Sequence, residues 1–313
     1  MAETHVSTAI LFPGQGSQRV GMGRRLSTEH RVARATLAEA DEVLGMHLSR
    51  LCFEGPEDDL VRTENAQPAI LAVSIALWRA LTAEVEIRPA WFAGHSLGEY
   101  TALVAAGALG FADALRLVRT RGRLMQSAVP EGVGAMAAIV GLDDEAIEAL
   151  CTEAALGGVV APANFNGAGQ IVIAGHRGAV RRVMEAARTA GARALALAVS
   201  APFHCVLMAP AAAALGRALA EVPIGPLAVP VVTNVEAAPN QDAARVRSLL
   251  VAQVTAPVRW GDSMRLLGRV GCRHALEVGP GQVLSRLLQR MQLGIEAVAA
   301  GEGDEWASLG AFR

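Results

Sequence analysis

Residues 94–98 read Gly94-His95-Ser96-Leu97-Gly98, a G-x-S-x-G pentapeptide. That pattern sets a serine on a sharp strand-to-helix turn, with its hydroxyl exposed and placed to act as a nucleophile. The glycines matter because the turn between strand and helix is so tight that it admits no side chain at positions 94 and 98. The N–H of Leu97 would point into the same space as the Ser96 hydroxyl, where it can bind an oxyanion. A glycine-rich turn with a helix-capping serine is the plainer reading of the same residues.

A serine nucleophile needs a base. The histidines are His5, His30, His47, His95, His176, His204 and His274. His95 adjoins the serine, but neighbouring side chains on such a turn point apart. His274 opens a strand, at the wrong end for an α/β site. His204, in Ser200-Ala201-Pro202-Phe203-His204, follows the end of a strand, where such sites gather. His204 is therefore the expected base. No Asp or Glu between serine and histidine in the chain stands out as the third member of a hydrolase triad.

The stretch Asp113–Gln126 carries four arginines. At about 100° per residue, Arg116, Arg119 and Arg123 share one helix face, as a solvated stripe would. Arg121 falls on the opposite face, among Leu117, Val118, Leu124 and Met125. A guanidinium in an apolar stripe is costly unless paired. Its partner is either a structural carboxylate or a carboxylate on a substrate, gripped in bidentate fashion.

These residues must be positioned by a scaffold, and the chain reads as α/β: strand-length apolar runs alternate with helical patterns. Thr8–Phe12 reads as a buried strand ending in the turn Pro13-Gly14-Gln15-Gly16. Ala90–Ala93 leads into the serine turn and Glu99–Ala106 leads out as a helix. Pro68–Leu81 reads as an apolar helix with Pro68 near its first turn, where a missing N–H is harmless. Residues 133–200 stand apart. Strands at Ala135–Val140, Val159–Asn164, Gln170–Ala174 and Arg193–Val199, with helices at Asp143–Ala154 and Gly178–Ala190, give the order βαββαβ. That is a ferredoxin-like signature, expected as a small subdomain inserted between 1–132 and 201–313; continuation of one large sheet is the alternative. Beyond it, helices at Pro210–Leu219, Arg245–Val254, Asp262–Leu267 and Val283–Met291 and strands at Pro230–Asn234 and His274–Val278 resume the first pattern.

Composition removes whole reaction classes. The chain has 313 residues, 28 basic against 30 acidic, for a net charge of −2. Every basic residue is arginine. Without lysine there is no Schiff-base or pyridoxal-phosphate anchor and no phosphate-loop lysine. The near-balanced charge and 4% aromatic content give no sign of nucleic-acid binding. Cys52, Cys151, Cys205 and Cys272 form no C-x-x-C pair, so no metal site is read and a reducing compartment is expected. Met1–Thr8 lacks an apolar signal-peptide core, and the apolar stretches are broken by Gly, Pro or charge before 18 residues. A cytoplasmic protein with no membrane span is expected.

Taken together, the motifs resemble the malonyl-CoA:acyl carrier protein transacylases of fatty acid synthesis and the related acyltransferase domains of polyketide synthases. The matching segments are FPGQGSQ (Phe12–Gln18), TENAQPAI (Thr63–Ile70), GHSLGEYTALVAAGAL (Gly94–Leu109), RGRLMQ (Arg121–Gln126), GAMAAIVGL (Gly134–Leu142), SAPFHC (Ser200–Cys205) and EVGPGQVL (Glu277–Leu284). They run in family order over essentially the whole chain. The resemblance implies a hydrolase-like α/β core interrupted by a ferredoxin-like subdomain. It implies transfer of malonyl from malonyl-CoA, a substrate, to the phosphopantetheine thiol of an acyl carrier protein through a malonyl-serine, with no cofactor. Ser96 would be the nucleophile and His204 the general base, then acid. Gln15 would join Leu97 in the oxyanion hole, and Arg121 would hold the malonyl carboxylate. Gln253 would orient His204 through its backbone carbonyl, which accounts for the missing acid. Phe203 would disfavour a branch at the acyl α-carbon. A stand-alone polyketide acyltransferase and a serine thioesterase or esterase are the competing readings. Carrier proteins of this kind are acidic, and Arg24-Arg25 and Arg181-Arg182 are the visible basic clusters.

Overall fold

In a computed structural model, residues 7–199, 201–302 and 306 are described. His5, Ser200, most of Met1–Thr8 and most of the tail after Ala300 lie outside them. The chain opens on β1 (Ser7–Phe12), followed by α1 (Arg24–Glu29), α2 (Arg31–Leu44), α3 (Leu48–Glu54), α4 (Glu57–Leu60) and the long α5 (Thr63–Glu84). β2 (Pro89–Gly94) leads into α6 (Leu97–Ala105) and α7 (Phe111–Ser127). Next come β3 (Gly134–Val140), α8 (Asp144–Ala154), β4 (Val160–Gly167), β5 (Gln170–His176), α9 (Arg177–Thr189) and β6 (Arg193–Ala196). The rest is α10 (Ala209–Ala220), β7 (Val231–Val232), β8 (Pro239–Asn240), α11 (Ala243–Thr255), α12 (Trp260–Arg269), β9 (Cys272–Glu277), α13 (Val283–Met291) and β10 (Glu296–Ala299).

Two separate sheets result. The larger has the order β10-β9-β1-β2-β7-β8 and is parallel except for the β7–β8 pair. Its central strand β1 is apolar from Ala9 to Phe12 and buried on both faces from Thr8 on, as a parallel sheet covered by helices requires. β1 and β2 end in register, Phe12 opposite Gly94. The turns that follow them, 13–16 and 95–96, therefore leave the same sheet edge side by side, the usual place for an α/β site. The smaller sheet has the order β4-β5-β3-β6, all antiparallel, with α8 and α9 sharing its own apolar core. That strand order is the ferredoxin-like one.

Several elements depart from the sequence reading, and most departures matter to the site. α5 begins at Thr63, so Pro68 lies in its second turn, where proline removes a helical hydrogen bond. At 22 residues α5 is also long and apolar enough to cross a membrane, which the reading of broken stretches did not anticipate; 78% of its apolar window is buried inside the fold. The strand expected over Arg193–Val199 stops at Ala196, and Leu197, Ala198 and Val199 turn away to line a cleft. β4 runs on to Gly167 through two register irregularities, which bring Asn164 and Asn166 to the same cleft. The strand expected over Pro230–Asn234 is only Val231–Val232, because Asn234 leaves the ladder to bond the serine turn.

Candidate active site

Ser96 sits between β2 and α6 with φ 50° and ψ −102°. That conformation lies outside the regions open to ordinary L-residues and survives only where its surroundings enforce it. The enforcement is visible. The Ser96 N–H donates to Asn234 Oδ1 at 2.7 Å, and Asn234 Nδ2 donates to the Gly94 carbonyl at 2.7 Å. Gln253 Nε2 donates to the Ser96 carbonyl at 3.1 Å. A Cβ on Gly94 would strike the Gly98 carbonyl, and one on Gly98 would strike the Phe12 carbonyl. Both glycines are therefore fixed by close backbone approach.

His204 stands across from the serine, its Nε2 2.7 Å from Ser96 Oγ. Its Nδ1 lies 2.8 Å from the Gln253 carbonyl, which can only accept, so Nδ1 carries the proton and Nε2 offers its lone pair to the hydroxyl. No carboxylate is needed to set the tautomer. His204 has φ 59°, a second left-handed non-glycine residue at the site. Burial, then the Arg121 charge, push its pKa down to about 3, so the resting imidazole is neutral. His95 points elsewhere: its Nε2 is 2.9 Å from Asn166 Oδ1 and its ring packs beside Trp260. His274 lies early in β9, 3.4 Å from Glu296.

Arg121 is 1% exposed, yet its direct partners are neutral. Nη1 donates to Gln67 Oε1 at 2.9 Å, and Nη2 donates to Gln253 Oε1 and to Ser96 Oγ, each at 3.0 Å. Nε is buried without a partner. The Tyr100 ring lies 5.3 Å from the guanidinium carbon. Burial lowers the Arg121 pKa from its ordinary value. Glu99, on the first turn of α6, is the carboxylate coupled to it, but its Oε2 is taken by Gln253 Nε2 at 2.7 Å and the Asn234 N–H at 3.1 Å. A guanidinium within hydrogen-bond reach of the serine hydroxyl, and not directly ion-paired, is fitted to take a carboxylate from outside.

These groups open into a cleft of about 610 Å³. Gln15 and Leu97 line it beside Ser96, and Phe203, Met125, Met136 and Val172 supply an apolar wall. The Gln15 side chain donates to Thr63 Oγ1 at 3.3 Å. Arg286 and Arg290 lie at the rim, one turn apart on α13. No acidic residue lines the cleft among the described residues. The basic clusters read from the sequence are engaged locally instead: Arg24 on the Phe53 carbonyl, Arg25 on Glu29, Arg181 near Glu185 and Arg182 on the Ala154 and Ala155 carbonyls. Asn234 and Glu99 were missed in the sequence. The only signals were a polar residue closing an apolar run in Val231-Val232-Thr233-Asn234, and an acid one turn after the serine.

Residues 10–311 match the family model of an acyl transferase domain. The chain is 48% identical over 304 residues to a malonyl CoA-acyl carrier protein transacylase of Salmonella typhimurium, covering 97% of both chains. It superposes with a TM-score of 0.94 at 47% identity on an acyl carrier protein S-malonyltransferase from Vibrio cholerae, covering 98% of this chain and 100% of that one. A malonyl-transacylase solved in complex with a type II PKS acyl-carrier protein is similar to the same degree, with a TM-score of 0.94 at 46% identity over 97% and 98% of the two chains.

Proposed function

The chain belongs to the acyl transferase domain family, and from that premise we propose that it moves a malonyl group from malonyl-CoA to the thiol of an acyl carrier protein, in fatty acid synthesis and in the cytoplasm. The observation that carries this reading is the Ser96 hydroxyl lying between a neutral imidazole at 2.7 Å and a buried guanidinium at 3.0 Å.

In the first half-reaction the malonyl carboxylate docks on Arg121 and sets the thioester carbon beside Ser96 Oγ. Oγ attacks as His204 Nε2 takes its proton. Docking also neutralises much of the Arg121 charge that depresses His204, so the imidazole becomes a better base once substrate is bound. The backbone N–H groups of Gln15 and Leu97 receive the oxyanion. Collapse breaks the C–S bond, and His204 returns its proton to the departing coenzyme A sulfur. In the second half the carrier's phosphopantetheine thiol attacks the malonyl-serine. His204 takes the thiol proton and returns it to Oγ as the ester breaks. The Gln253 carbonyl holds the imidazole throughout, and Phe203 crowds the position of any α-branch.

A thioesterase would share the serine and histidine but deliver the acyl group to water. The two are separated by freeing malonyl-loaded enzyme of coenzyme A and adding holo carrier protein. Transfer predicts malonyl on the carrier's thiol and slow loss of label without it. Rapid release of free malonate, unchanged by carrier, would make the chain a hydrolase.

A further inference from the structure

Glu99 is 2% exposed, behind the residues that line the cleft, and the transfer steps give it no task. Its Oε2 anchors Gln253 Nε2 and the Asn234 N–H. Those same two residues clamp the Ser96 peptide, Asn234 at its N–H and Gln253 at its carbonyl. Gln253 Oε1 in turn accepts from Arg121. One carboxylate thus braces both clamps on the strained nucleophile and stands a single side chain away from the guanidinium. The charged and titratable groups facing it are Arg121 from α7 and Tyr100 on α6 itself; His204 and His95 lie beyond, around Ser96.

We propose that Glu99 is a positioning residue that also balances charge: in the resting enzyme at mildly alkaline pH its carboxylate braces Ser96 and offsets Arg121, and it takes up a proton from solvent when the acyl donor's carboxylate docks. The inference rests on the malonyl reading above. Its physical cause is charge crowding. Two carboxylates around one buried guanidinium leave a net negative charge in a medium that solvates it poorly. The docked carboxylate is in contact with Arg121 and keeps its charge. Glu99 is one residue removed, and burial already holds its pKa up at about 7 against the opposing pull of Gln253, Asn234 and Arg121. A protonated Glu99 still offers its carbonyl oxygen to both donors, so the brace on Ser96 survives the uptake.

The test is calorimetry at pH 8 in buffers of different ionisation enthalpy, using Ser96→Ala enzyme so that nothing is acylated. Malonyl-CoA and acetyl-CoA carry the same phosphates, so the difference in proton uptake between them reports the acyl carboxylate alone. Malonyl-CoA should draw in about half a proton or more beyond acetyl-CoA. The excess should vanish in the Ser96→Ala, Glu99→Gln double variant, whose amide oxygen preserves the brace. No excess uptake, or an excess that survives Glu99→Gln, overturns the proposal. If the double variant fails to fold, difference infrared spectra of Ser96→Ala replace it: a protonated-carboxyl band that appears with malonyl-CoA, is absent with acetyl-CoA and does not shift when the malonyl carboxylate carries carbon-13 supports the proposal, and no such band overturns it. Wild-type enzyme that takes no malonyl on Ser96 would sink the transfer reading itself, whereas labelled enzyme without excess uptake sinks only the role of Glu99.

Discussion

Replacing Arg121 by alanine separates a substrate-binding arginine from a structural one. The guanidinium is buried and makes three hydrogen bonds at 2.9–3.0 Å, to Gln67, Gln253 and Ser96. For malonyl-CoA the substitution deletes one partner of a buried, charge-assisted pair, a loss of about 3–5 kcal/mol. At about 1.4 kcal/mol per decade, kcat/KM for malonyl should fall by about two to four decades. Acetyl-CoA has no carboxylate to lose. For it the change removes one hydrogen bond to Ser96 Oγ, about 1 kcal/mol, and also removes a buried charge that an acetyl group leaves unanswered. Acetyl transfer should therefore change by tenfold or less, and the preference for malonyl over acetyl should drop by about tenfold or more. The assay is initial acylation rates with both thioesters, beside a thermal melt of each protein. An equal loss for malonyl and acetyl would refute the reasoning and make Arg121 a scaffold residue.

Asn234→Ala removes the acceptor of the Ser96 N–H and the donor to the Gly94 carbonyl, so the strained turn relaxes. Its kcat for acylation should fall by about 30- to 1000-fold at about 1–2 kcal/mol per lost bond with KM for malonyl-CoA little changed; a pure KM effect would contradict this. The pH dependence follows from a lowered folded pKa. His204 is held down to about 3 by burial and Arg121, so it stays neutral through mild acid, and kcat/KM should show no acid limb near the ordinary histidine range. A limb near pH 6.5 would place His204 in an ordinary environment. By the same sign, the stability cost of keeping His204 neutral is absent above pH 6.5 and grows as pH falls toward 3, so urea unfolding should show His204→Asn losing less stability than wild type on acidification. Phe203→Ser opens the wall beside the acyl α-carbon, and discrimination against methylmalonyl-CoA should weaken by about 1–3 kcal/mol; unchanged discrimination would move the selectivity determinant elsewhere.

What could be read in the sequence was what local physics dictates. The Gly94–Gly98 turn is legible because backbone approach forbids side chains at both ends. Arg121 is legible because one helical period places it among apolar residues, and it is indeed buried while Arg116 and Arg123 are exposed. His204 is legible by its position after a strand, even though that strand ends at Ala196, eight residues before it. Asn234, Glu99 and the side-chain role of Gln253 were not legible. They belong to three distant segments, and their meaning exists only once β7, α6 and α11 converge on Ser96. The helices α1, α3 and α4 and strand β10 are only four to seven residues long, too short to show a period, whereas the 14-residue α2 carries a legible apolar face at Ala33, Leu37 and Ala40 that the sequence reading leaves out. Pro68 misled in the ordinary way: proline favours a first turn, but α5 is buried against so many neighbours that packing outweighs one missing hydrogen bond.

Ser96 must carry the acyl group between donor and acceptor. Enzyme mixed with radiolabelled malonyl-CoA, quenched within a turnover and digested, should yield one labelled peptide with malonyl on Ser96. Ser96→Ala should yield none, though it still binds malonyl-CoA. Label on another residue, or undiminished label in Ser96→Ala, would contradict it.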